Sequence, residues 1–181
     1  ELVVTDADAT EIHVLTESTT TPGTLEPLFA AIGGKDGVRG PSVGEVDASS
    51  NGAEIAVTNT DEDRQQVSIY SAAGTFIRSV QLYDETAPEE AVNTLIADVL
   101  PGVTPLGTSG LELAVAIYGG TGDSYVAVLP QLSAGGFDTP QTYLTGPGFG
   151  TGSLAAGDID GDTYAELIVG NGGYWSRDAI D

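Results

Sequence analysis

The stretch that decides the fold of this chain is residues 157–170, which read GDIDGDTYAELIVG. Asp158, Asp160 and Asp162 occupy alternate places in it, and Glu166 follows directly before an apolar run. Carboxylate oxygens gathered in one short loop are the hard ligands that Ca²⁺ binds in proteins. The stretch therefore indicates a calcium loop that leads directly into a β-strand.

The apolar run after this acidic loop recurs along the chain. Copies begin at Glu1, Glu54, Glu112 and Glu166, and they read ELVV, EIAV, ELAV and ELIV. They lie roughly 55 residues apart, a spacing that indicates a repeat architecture. Residues 1–181 are therefore predicted to form one domain, built from repeats that start near these four glutamates.

Each repeat contains the patterns of four short strands. A polar turn and a second run follow each glutamate segment; the second run is alternating in residues 66–70 and apolar throughout in residues 125–129. A turn that contains Gly or Pro leads to a third run, as in residues 75–80. A further strand is predicted before each glutamate except the first, at residues 41–46, 92–99 and 152–159.

Four short strands per repeat predict a particular all-β architecture. Strands of this kind, joined by tight turns, form the blades of a β-propeller, whereas a β-helix would need a much shorter repeat. Helical periodicity is not convincing in any window, and residues 85–96 are predicted to hold at most one short helical turn that starts at Pro88. The predicted fold is an all-β propeller of four-stranded antiparallel blades.

Composition excludes several classes of function. The chain has 181 residues with 27 acidic and only 5 basic side chains, which gives a net charge of −22. So few cations argue against binding to nucleic acid or to anionic membrane surfaces. The charge is typical of a surface adapted to high salt or a calcium-rich exterior, and an acidic surface that recruits a cationic partner is the other interpretation. The lack of cysteine excludes disulfides, thiolate metal sites and thiol catalysis.

Membrane insertion is not expected, because no apolar run approaches the roughly 18 residues of a membrane span. No sequence motif of a hydrolase or a zinc protease occurs, and the single histidine, His13, has no second histidine to act with. We therefore predict no catalytic residues and no enzymatic activity.

The best-matching segment, residues 125–172, resembles the FG-GAP (or VCBS) repeat family, which includes the integrin α-subunit propeller and many microbial surface proteins. The resemblance rests on YVAVL at 125–129, Gly136-Phe137, Phe149-Gly150, SLAAGDIDGD at 153–162 and ELIVGNG at 166–172. Weaker copies extend it over nearly the whole chain. In that family the acidic loop joins the innermost strand of a blade to the second strand and binds calcium.

The resemblance implies a set of calcium ligands in one loop, with the carbonyl of one residue joining four side chains. They are Asp158, Asp160, Asp162, the carbonyl of Tyr164, and Glu166. Two positions depart from the family pattern, because Glu166 replaces a more usual aspartate and Thr163 stands where glycine is common. The alternative is a turn whose aspartates only cap backbone amides. An EF-hand is a poor match, since flanking helices are missing.

The two corresponding loops are poorer in ligands. The loop at residues 44–54, which contains Asp47, is longer and has fewer carboxylates, so the sequence leaves a metal there open. The loop at residues 98–112 has Leu100 and Val103 where ligands would be needed, and no metal is expected there.

The family's strand order implies that the chain covers part of one blade, two whole blades and part of a fourth. A propeller needs about four to eight blades for closure. We therefore expect part of a larger ring, completed by the remainder of a longer chain or by neighbouring copies, and we do not expect the isolated chain to be a stable monomer.

These observations predict a calcium-stabilised module located outside the cell or on its surface, acting in adhesion, ligand binding or surface assembly. Its predicted partners are a protein or glycan ligand, or copies of itself in a homo-oligomer. One alternative is a structural subunit of an extracellular filament or sheath. The other is the propeller, catalytic or not, of a polysaccharide-active enzyme.

Overall fold

The computed structural model describes residues 2–6, 11–32, 38–46, 52–59, 66–82, 90–100, 111–119, 123–132, 134–147, 149–162 and 164–173. All regular structure in these ranges is β-strand, and no helix occurs in them. The described residues therefore contain no helix that could cross a membrane.

The described residues form thirteen strands. They are β1 Leu2–Asp6, β2 Glu11–Glu17, β3 Leu25–Ile32, β4 Val38–Gly44, β5 Glu54–Asn59, β6 Gln66–Ser71, β7 Phe76–Gln81, β8 Glu90–Ala97, β9 Glu112–Tyr118, β10 Asp123–Leu129, β11 Gln141–Pro147, β12 Phe149–Gly157 and β13 Glu166–Gly173.

These strands form four antiparallel sheets in which sequential strands are neighbours. The first sheet is β1–β3, the second β4–β7, the third β8–β11 and the fourth β12–β13. The second and third sheets are complete four-stranded meanders, the blade unit of a propeller. The predicted fold class, all-β with four-stranded antiparallel blades, is confirmed.

The glutamates that mark the repeats lie at equivalent places. β5, β9 and β13 begin at Glu54, Glu112 and Glu166. Glu1 lies outside the described residues, and the organisation of residues 1–181 as one domain stays a prediction.

The central strands of the second and third sheets are buried on both faces, because each of these two sheets packs between two others. On β9, Leu113 and Val115 belong to a core cluster that also contains Ile69 of the second sheet. Ala114, between them in sequence, belongs to another cluster, against which Leu167 of the fourth sheet packs. The same two-sided burial on β10 explains why the second run of the third repeat, residues 125–129, is apolar throughout rather than alternating.

The first strand of the second, third and fourth sheets begins and ends earlier than predicted. β4, β8 and β12 cover 38–44, 90–97 and 149–157, not 41–46, 92–99 and 152–159. Each of these strands has a register irregularity against its neighbour, which interrupts the alternation on which the prediction rests. The predicted helical turn is wrong for residues 90–96, which lie in β8, and residues 85–89 lie outside the described part.

The first strands of neighbouring sheets contact each other directly. The Thr94 hydroxyl of β8 lies 2.6 Å from the Gly40 carbonyl, to which it donates, and 2.8 Å from the Ser42 hydroxyl, both of β4. The Asn93 amide of β8 donates to the Gly152 carbonyl of β12 at 3.3 Å. These contacts join the first strands of the second, third and fourth sheets side by side.

Candidate metal site

The acidic loop joins β12 to β13, and its base is closed by the pairing of Gly157 with Glu166. Gly161 has a φ of +84°, a left-handed conformation that glycine adopts without strain. Around it, the Asp158 carboxylate accepts the Gly161 amide at 2.7 Å, and the Asp160 carboxylate accepts the Asp162 amide at 3.1 Å. Side-chain bonds of this kind hold the loop in a tight turn.

Three carboxylates converge in this loop. One oxygen from each of Asp158, Asp160 and Glu166 lies within 4.8 Å of the other two. Calcium holds its oxygen ligands at about 2.3–2.6 Å, so ligands on opposite sides of one ion are about 5 Å apart. The three side chains therefore fit a single calcium ion in both donor type and spacing.

Glu166 reaches the group because its side chain folds back over the start of the loop. Its Oε2 accepts the backbone amide of Ile159 at 2.6 Å. A carboxylate has two oxygens with several lone pairs, so this bond still leaves capacity for a metal ion. The longer arm, which departs from the family's usual aspartate, is thus accommodated by a bond to the loop itself.

One predicted side-chain ligand, Asp162, is not part of the converging group. The Asp162 carboxylate instead accepts the Tyr164 amide at 2.9 Å. Asp162 and the Tyr164 carbonyl therefore stay predictions as ligands, and Thr163 lies outside the described residues. The amide capping that the alternative interpretation requires is observed at all three aspartates, together with the convergence that a metal requires.

The equivalent glutamates of the second and third sheets have a role that the sequence did not predict. Glu54 Oε2 accepts the Val46 amide at 2.8 Å. Glu112 Oε2 accepts the Val99 amide at 2.8 Å and the Leu100 amide at 3.2 Å. The signal for this role was present as the glutamate that begins each repeat. Asp47 and Val103 lie outside the described residues.

Burial sets these two glutamates apart from Glu166. Glu54 is 0% exposed and Glu112 is 1% exposed, whereas Glu166 is half-buried. Burial raises the pKa of the Glu112 carboxyl above its ordinary value, and the nearby Asp98 acts in the same direction. The amides of Val99 and Leu100 act in the opposite direction by stabilising the charged form.

His13 lies on β2 beside an acidic neighbour. Its Nε2 is 3.1 Å from a Glu11 carboxylate oxygen, and about a third of the His13 side chain is exposed. A partly exposed imidazole beside one carboxylate on the same strand forms a surface pair, and neither residue takes part in the acidic loop.

A comparison with protein-family models identifies one family. The model described as FG-GAP repeat matches residues 150–174, a segment that contains the acidic loop and most of the two strands that flank it. Neither a curated protein nor a solved structure matches the chain. The predicted resemblance is thus confirmed at the acidic loop, and the chain carries an FG-GAP repeat at residues 150–174.

Proposed function

We propose that this chain is a calcium-stabilised propeller module that works outside the cell or on its surface and has no enzymatic activity of its own. The observation that carries the proposal is the convergence of Asp158, Asp160 and Glu166 within the FG-GAP loop. Calcium, when bound, would supply charge neutralisation and oxygen coordination. The carboxylates would hold it, with Asp162 and the Tyr164 carbonyl as further ligands implied by the family.

The charge of the loop supports this assignment. Four carboxylates lie in the nine residues from Asp158 to Glu166. Mutual repulsion between them opposes the folded loop unless a cation is present. An extracellular location would expose the loop to calcium, which extracellular modules bind with Kd values of about 10⁻⁴–10⁻³ M.

The calcium proposal is tested by Asp160→Asn, with thermal unfolding followed in calcium and in chelator. Asparagine keeps an oxygen that accepts the Asp162 amide, but it removes the charge that a metal needs. At calcium concentrations about a hundredfold above Kd, binding stabilises the folded chain by about 2.7 kcal/mol, and the variant should lose most of this gain.

The matched control is Asp138→Asn, because Asp138 is also an exposed aspartate that caps a backbone amide, that of Thr139 at 2.7 Å. The control should keep the full response to calcium. A chelator that leaves the melting temperature of the parent chain unchanged at low salt would overturn the proposal.

Self-association is a second candidate, in line with surface assembly or a filament. Leu2 and Val4 of β1 are 48% and 41% exposed, and they pair across the strands with Leu15 and His13 on the same face of the first sheet. Exposed apolar side chains in a row are typical of a surface that another protein covers. Sedimentation of the parent chain and of Val4→Thr measures this directly: the parent should associate with rising concentration, and the variant should do so less.

The ligand of the module is proposed to be a protein or a glycan. Binding to immobilised glycans and to surface proteins, with and without calcium, tests this part. Measurable hydrolysis of a polysaccharide by the purified chain would instead favour the enzymatic alternative.

A further inference from the structure

Each of three sheets contains a glutamate that bridges from the second strand to the chain that leaves the first strand. We propose that Glu54 and Glu112 are carboxylate clips, which hold the connection between these two strands without any metal ion. This inference concerns the second and third sheets, and it stands whether or not the acidic loop of the fourth sheet binds calcium.

The geometry of the clip is the same in all three sheets. Each glutamate begins the second strand and pairs with the last residue of the first strand: Gly44 with Glu54, Ala97 with Glu112, and Gly157 with Glu166. In every case Oε2 accepts the amide that lies two residues beyond that partner, which belongs to Val46, Val99 or Ile159. The bond forms although the three loops differ in length and in their acidic residues.

The surroundings of the two buried clips are apolar. Val46 is fully buried beside Glu54, and Val99 and Leu100 pack against the core cluster between the third and fourth sheets. A backbone amide shielded from water needs an acceptor within the protein, fully so at Val46 and in part at the half-buried Val99 and Leu100. The carboxylate supplies that acceptor from inside the blade, and at Glu112 one oxygen serves two amides.

A second observation separates these clips from a metal site. Within the described parts of the chain, only the fourth sheet brings three potential metal-ligating side chains together. Next to Glu112, residues 99–111 contain no ionisable side chain, and Asp98 is the acidic neighbour that opposes its charge. The role that calcium would have in the fourth sheet, joining the end of one strand to the start of the next, is thus filled by hydrogen bonds.

The test is amide hydrogen exchange of the 181-residue chain in chelator, read residue by residue by NMR. Glu112→Gln keeps an oxygen acceptor, so the Val99 and Leu100 amides should stay protected. Glu112→Ala removes the acceptor, and these two amides should exchange at least about tenfold faster while amides on β6 stay protected. Glu54→Gln and Glu54→Ala should behave in the same way at Val46.

Glu17→Ala is the matched control, because Glu17 also accepts a backbone amide, that of Gly23 at 3.3 Å, but at an exposed turn. It should leave the exchange of Val46 and Val99 unchanged. If the alanine variants do not fold, the glutamine variants decide: protection retained in chelator supports the clip.

Two results would overturn the proposal. One is loss of protection in the glutamine variants, which would show that the charge, and not the acceptor, holds the loop. The other is calcium-dependent protection of Val46 or Val99 in the parent chain, which would make these glutamates metal ligands.

Discussion

The loop after β8 and the loop after β12 each connect the first strand of a sheet to the second, but the two loops are stabilised in different ways. After β8, Glu112 is buried and accepts two amides among apolar residues. After β12, Glu166 is half-buried, accepts one amide and lies with Asp158 and Asp160 in an exposed acidic turn. The bond from the glutamate is common to both, while the extra carboxylates occur in one.

This difference indicates that the glutamate and the aspartates have separate physical roles. The glutamate satisfies backbone amides at the end of the first strand, a need that exists wherever the loop is covered by neighbouring sheets. The aspartates cap amides of their own exposed turn, and they also concentrate charge where water and ions have access, as the proposed calcium site requires. Substitutions that change either the hydrogen bond or the charge, one at a time, test this difference between the two loops.

The largest expected effect is that of Glu112→Ala. The half-buried amides of Val99 and Leu100 lose their acceptor, and each unsatisfied group costs about 1–3 kcal/mol, so unfolding should become easier by about 2–6 kcal/mol. Glu166→Ala in chelator should cost under about 1 kcal/mol, because water reaches the Ile159 amide. Denaturant unfolding of both variants measures the difference, and equal losses would show that burial does not distinguish the two loops.

The sequence predicts much of this framework but not the bond that unites the loops. The order of four strands per sheet follows from alternation and from turn residues, both of which are local properties. The bounds of β4, β8 and β12 were misplaced because bulges interrupt the alternation. The role of Glu112 depends on Val99 lying opposite it across a long loop, and such proximity is set by strand pairing rather than by spacing along the chain.

The acidic turn was easier to predict, since its ligands lie within nine residues of one another. Asp158, Asp160 and Glu166 converge because the turn at Gly161 and the pairing of Gly157 with Glu166 are both local. Asp162 bonds the Tyr164 amide instead, a choice that depends on loop geometry that the spacing of carboxylates does not contain.

An intermediate effect is expected for Glu166→Gln in calcium. The variant should keep its stability in chelator to within about 1 kcal/mol, because glutamine still offers an oxygen to the Ile159 amide. In calcium it should bind more weakly, and each tenfold increase in Kd removes up to about 1.4 kcal/mol of the stabilisation. Glu112→Gln should keep the full calcium response. If this variant lost the response as well, the two glutamates would not differ in function.

The smallest expected effect is a pH dependence at Glu112. Because burial raises its folded-state pKa above the ordinary value of 4.5, the folded chain binds this proton more readily than the unfolded chain does. The stability gained from protonation is therefore fully present below about pH 4.5 and is lost as the pH rises through the raised pKa. Glutamine cannot titrate, so Glu112→Gln should equal or exceed the parent in stability at neutral pH, and the gap should narrow as the solution is acidified.

The quantity to measure in chelator is the difference in the free energy of unfolding between the parent and Glu112→Gln. The titration of the other carboxylates cancels in this difference. If the Glu112→Gln gap instead widens on acidification, the amides of Val99 and Leu100 outweigh burial at this carboxylate. The clip would then hold the charged form of Glu112 in spite of its burial, and burial would no longer set this loop apart from the loop after β12.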